Sequence, residues 1–83
     1  MTKQEFKKAL RPQLKDKAIM KYGKFIKELS NCEIKSSLNE ILKENLSYWK
    51  HANYGTTEEY KQLFKETFPK ELKISKKVQD CKK

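Results

Sequence analysis

The stretch SNCEIKSSLNEILKENLSYWKHAN, residues 30–53, places Ile34, Leu38, Ile41, Leu42, Leu46, Trp49 and Ala52 three and four positions apart. That is the period of an amphipathic helix, with Glu40, Lys43, Glu44, Ser47, Lys50 and His51 on its outer face. Two capping boxes fall within it, Ser30 with Glu33 and Ser37 with Glu40. The helix therefore starts at one serine or the other and ends near Asn53. Gly55 follows, where a left-handed cap is expected.

Upstream, Leu14, Ala18, Tyr22, Phe25 and Leu29 form a second apolar stripe, widened by Ile19 and Ile26. Lys17, Lys21, Lys24 and Lys27 face away from it. Pro12 fits the first turn of this helix and pushes Arg11 out of helical geometry. Ahead of that break, Thr2 and Glu5 cap a short basic helix reaching about Leu10. Downstream, Thr56 with Glu59 opens a helix carrying Tyr60, Leu63, Phe64 and Phe68 on one face, and Pro69 interrupts it. A last helix from about Lys70 groups Ile74, Val78 and Cys81, then runs into a lysine-rich tail. No segment alternates strictly enough to suggest a strand. The expectation is all-α: a small bundle of three to four packed helices in a single domain, 1–83, with residues 1–11 and 79–83 loosely attached. Eighty-three residues bury roughly 60–65% of the extended chain's surface, which leaves a modest core.

Charge is distributed unevenly. Residues 1–29 carry +6, residues 30–69 carry −1 and residues 70–83 carry +4, for a total of +9. Two basic ends flanking a neutral, aromatic-rich middle attract polyanions. Of the 20 basic residues only Arg11 is an arginine, so the planar fork that reads base edges is scarce. The lysine bias, with asparagine and isoleucine, fits an AT-rich bacterial or phage genome. Contact with nucleic acid through phosphates, without strong sequence readout, is the leading expectation. Its candidate residues are Lys17, Lys21, Lys24 and Lys27, extended by Lys7 and Lys8 and by Lys76 and Lys77 if the termini meet. Lys3, Lys82 and Lys83 would join them.

The alternative is a protein-binding module, an inhibitor or immunity protein with an acidic partner, for which Met20, Tyr48 and Tyr54 are the candidate anchors. In general form (short, basic, helical, with a lysine-rich tail) the chain is similar to small bacterial immunity proteins. A homodimer that completes a small core is a third possibility. A helix-turn-helix around Gly55 is disfavoured, because Glu58 and Glu59 would face the groove of the nucleic acid.

Enzymatic chemistry finds little support. His51 is the only histidine and no local motif supplies partners for it. No metal or cofactor is expected, since two glycines cannot build a phosphate-cradling loop of the usual kinds and Cys32 and Cys81 lack metal-ligand spacing. With no apolar run of membrane length and Met1 at the start, the location expected is cytoplasmic, and there two free thiols are the expected state, with a disulfide tying the last helix to the bundle as the alternative.

Overall fold

The computed structural model describes residues 2–78 and Cys81. It consists of four α-helices with no strand among the described residues: α1 (Lys3–Tyr22), α2 (Asn31–His51), α3 (Thr57–Thr67) and α4 (Pro69–Lys77). A single 3-10 turn, Ile26–Glu28, lies between α1 and α2. The small all-α bundle expected from the spacing is present.

Three capping boxes or caps hold where expected. Thr2, Ser30 and Thr56 each accept a hydrogen bond at the side-chain oxygen from the backbone N–H three residues on, at 3.2 Å in every case. Ser37 is not a cap. It lies fully buried on the inner face of α2, because Ser30 has already started the helix about two turns earlier.

The first helix departs from expectation at both ends. Pro12 does not break it: α1 runs unbroken from Lys3 to Tyr22, so the short N-terminal helix is the first half of a long one. A proline inside a helix costs about 3 kcal/mol. Against this, Phe6, Leu10, Leu14 and Ala18 form one buried row at steps of four. Burying each of the larger ones stabilises by about 1.5–3 kcal/mol, and only a continuous helix aligns them. Pro12 itself is exposed, so its ring meets solvent. At the other end α1 stops at Gly23, which is left-handed at φ 65°, instead of continuing to Leu29. Phe25 is therefore 56% exposed, while Leu29 reaches the core only after the chain has turned.

Beyond α2 the left-handed residue is Asn53, at φ 58°, and not Gly55. Gly55 sits in a tight place: a Cβ there would stand 2.7 Å from Glu59 Oε2 and 3.2 Å from Trp49 Cζ2, so the Glu59 carboxylate would have to swing aside and the indole to give slightly. This close passage lets the Trp49 indole N–H donate to the Thr56 carbonyl at 3.1 Å.

The core joins the α1 row to Ile34, Leu38, Ile41 and Trp49 of α2 and to Tyr60, Phe64 and Phe68. Phe6 sits among the rings of Tyr48, Trp49, Tyr54 and Tyr60, with centroids 5.6–6.1 Å away. The first residues are thus packed into the bundle. Cys32 and Cys81 form a disulfide across a Cα–Cα distance of 5.4 Å, which corrects the expectation of free thiols. The last segment is held to the start of α2 by that bond and by Lys35, whose ammonium donates to the Val78 carbonyl at 2.8 Å. Of the lysine-rich tail, Lys82 and Lys83 lie outside the described residues.

Candidate nucleic-acid interface

Three of the lysines singled out by spacing face carboxylates of α2. Lys17 lies 3.1 Å from Glu44 and 3.8 Å from Glu40, Lys21 pairs with Glu40, and Lys24 lies 3.4 Å from Glu33. The first two pairs form an antiparallel ladder: four residues forward on α1, Lys17 to Lys21, correspond to four residues back on α2, Glu44 to Glu40, and Lys24 adds its pair from just beyond the end of α1. Glu40 and Glu44, expected on a solvated outer face, are its acidic side. Such exposed pairs, screened by solvent, add little to stability, but they leave this edge with little net positive field. Lys27 stands apart from the ladder, exposed in the 3-10 turn.

The ladder shifts titration in both directions. The Lys21 hydrogen bond, with the charges of Lys21 and Lys17, holds the Glu40 carboxyl below its ordinary range despite some burial. Glu33 is lowered chiefly by the Ser30 backbone N–H and hydroxyl, with Lys24 adding less. Lys21 is raised, mainly by Glu40. A carboxylate with a lowered folded pKa stabilises the fold above its ordinary value of 4.5, and that contribution is lost as pH falls through the folded value. Lys21 works in the opposite sense, its contribution being present below 10.5 and lost as pH rises through the folded value. Melting temperatures should therefore fall on the acid side below about pH 4.5, and Glu40→Gln should flatten part of that fall. An equally steep acid limb in the variant would show that the Lys21–Glu40 pair does not couple folding to pH.

A second set of cations lies on the other flank of α1, and of these only Arg11 has an acidic partner among the described residues. Lys7, Lys8 and Arg11 line one groove with Gln4 and with Glu66 and Thr67 of α3. Lys15 continues the row one turn beyond Arg11 and is exposed. Arg11 crosses to α4: its guanidinium stands over the Phe68 ring at 5.6 Å and lies 3.5 Å from Glu71. Arg11 thus links α1 to α4, whose exposed Lys70, Lys73 and Lys77 recur at intervals of three and four. Among the described residues, Lys7, Lys8, Lys15, Lys70, Lys73 and Lys77 make no ion pair.

Lys76 is exposed too, but toward α3. Among the described residues the two ends of the chain lie apart: Lys3 stands 5.7 Å from the Trp49 ring, whereas Cys81 is bonded to Cys32. Trp49 and Cys32 are separated by about 25 Å along α2. The break expected at Pro12 conceals the recurrence of Lys8, Arg11 and Lys15 along one continuous helix.

Of the three candidate partner anchors, Met20 is 86% exposed and Tyr48 is 44% exposed. Both line a groove between α1 and α2 with Ile41 and Asn45. Asn45 is held in place by donating to Gln13 Oε1 at 2.7 Å and to the Ile41 carbonyl at 2.9 Å. Tyr54 does not line this groove. It is packed against Phe6, Tyr48 and Trp49, and its hydroxyl pKa is raised by burial and by the Tyr48 hydroxyl. His51 is exposed at the end of α2, and no group of three metal-ligating side chains occurs among the described residues. No described helix is long and apolar enough to cross a membrane. Comparison with known protein families, curated proteins and solved structures found no match to this chain.

Proposed function

We propose that this chain is a small, non-enzymatic accessory or regulatory protein that holds duplex nucleic acid by its phosphates, through the face shared by α1 and α4. The observation that carries this reading is the segregation of charge. Lysines toward α2 are neutralised by Glu33, Glu40 and Glu44, while the rows on α1 and α4 stand without acidic partners apart from Arg11. Lysines one turn apart on two adjacent helices suit a repeating phosphate backbone. A lone arginine, already engaged by Glu71, argues against base reading. Duplex is favoured over single strands because the exposed ring of Tyr48 belongs to the α1–α2 groove, leaving this face without a platform on which bases could stack.

The test is anisotropy of a labelled duplex at about 50 and 200 mM salt, where each phosphate contact contributes a slope of about 0.9 in log affinity against log salt. Replacing Lys7, Lys8, Lys15 and Lys73 by glutamine should lower the slope by about three to four and weaken binding at both salts. Replacing Lys17, Lys21 and Lys24 by glutamine should change the slope by less than about one. The reverse pattern would return the interface to the α1–α2 edge, and no binding at low salt would end the reading. A protein partner is the second reading, favoured by the single observation that Met20 stands almost fully exposed beside Tyr48 in one groove.

A further inference from the structure

The seam of α2, α3 and α4 opens to solvent as a groove of about 210 Å³. Its floor is Leu38 and Leu42 of α2, Phe64 of α3 and Leu72 of α4. Leu38 and Phe64 are buried, but Leu42 and Leu72 are only half-buried, so apolar surface stays wet here. Lys61 and Lys65, one turn apart on α3, stand on one rim, and Lys76 of α4 stands on the other. Asn39 and Ser75 complete the lining, which contains no carboxylate. Among the described residues, none of the three lysines is in an ion pair.

An apolar floor beneath three unneutralised cations is complementary to a molecule with an alkyl body and an anionic head. We propose that this groove binds a single-chain amphiphile with a carboxylate or phosphate head, taken up free from solution. The alkyl chain lies on Leu42 and Leu72, and the head sits between Lys61, Lys65 and Lys76. Two features select this occupant. The leucines are the floor of a concave seam, so a flat bilayer meets the lysine heads before it meets them. The floor also extends only about one turn along each helix, Leu38 to Leu42 on α2, which is short for the i, i+3, i+4, i+7 anchors of a partner helix. No residue of α1 lines the groove, so this site stands or falls separately from the nucleic-acid face.

The test titrates decanoate, kept below its micelle concentration, into the isotopically labelled, disulfide-intact protein, with decanol as the uncharged control. Saturable NMR shifts are expected at the Leu42 and Leu72 methyls, and the affinity should weaken as salt rises. Replacing Lys61, Lys65 and Lys76 together by glutamine is expected to lower decanoate affinity about tenfold, and decanol should bind more weakly than decanoate by a similar factor. Those three substitutions are on exposed side chains, so they leave the fold intact. Ser75→Phe, which fills the groove from its rim, should remove the shifts. Absent shifts, equal affinity for decanoate and decanol, or shifts centred on Ile19, Met20 and Phe25 would each overturn the proposal. So would anionic phospholipid vesicles that need the three lysines for binding while decanoate leaves the leucines unmoved.

Discussion

Phe6→Ala should cost about 3–5 kcal/mol of folding stability, the range expected when a buried aromatic side chain is truncated to alanine. Phe6 is 2% exposed and is the one side chain of the first turns of α1 that enters the aromatic cluster. Four rings border it: Tyr48 stacked nearly parallel, with Trp49, Tyr54 and Tyr60 tilted around it. Its removal leaves a cavity that those rings cannot close without giving up their own contacts. A domain of this length is stable by roughly 4–12 kcal/mol, so the loss is a large fraction of the whole. Urea unfolding followed by Trp49 fluorescence measures it. Lys7→Ala, at the exposed neighbouring position, should stay within about 0.5 kcal/mol. Equal costs for the two variants would mean that the first turns of α1 do not dock on α2 and α3.

Opening the Cys32–Cys81 disulfide should be comparably severe. The bond closes a loop spanning 49 positions. In the chain-entropy account a loop of this length contributes about 4 kcal/mol by restricting the unfolded chain. For a domain this small that corresponds to a fall in melting temperature on the order of 20 °C. Reduction of the native protein and the Cys32→Ser/Cys81→Ser variant should give the same lowered transition. The loss should be felt first in α4, which has no fully buried side chain and leans on α2 by half-buried Leu72 and Ile74. A shift of only a few degrees on reduction would show that packing alone keeps the last segment in place.

What the residues declare in advance, and what they conceal, follows from how far each interaction reaches along the chain. Thr2, Ser30 and Thr56 announce helix starts because the partner of each cap is three residues away. Pro69 likewise marks the junction of α3 and α4 by a local steric effect. Pro12 misleads because its local penalty is outweighed by the row Phe6, Leu10, Leu14 and Ala18, whose worth depends on α2 and α3 being there to bury it. Ser37 and Glu40 satisfy the capping pattern, yet Ser37 belongs to the buried face, and a single sequence does not say which of two boxes opens the helix. Gly23 is a local signal that conflicts with the pattern around it: the apolar stripe continues through it in sequence, while its left-handed backbone ends the helix in space.

The candidate site was legible in its chemistry and not in its placement. A basic surface able to meet phosphates is implied by composition alone. Whether a given lysine is free depends on what stands opposite it, and Glu40 is 19 positions from Lys21. The ladder does leave a trace, since Lys17 and Lys21 mirror Glu44 and Glu40 about the turn between α1 and α2, but reading it requires knowing that the two helices pair. The disulfide leaves no trace beyond a count of two cysteines.

The same bond also changes what kind of object the polypeptide is. Residues 32–81 form a covalent ring containing nearly all of α2 and the whole of α3 and α4, with α1 attached as a single strand outside it. A machine that unravels proteins by drawing one strand through a narrow pore would take up α1 readily and then meet, at Cys32, two strands that must pass abreast. Fully stretched, the ring would withhold on the order of 170 Å of contour from such a pull. Unless the sulfurs are first parted, the molecule presents a lasso where its helices alone would suggest a thread.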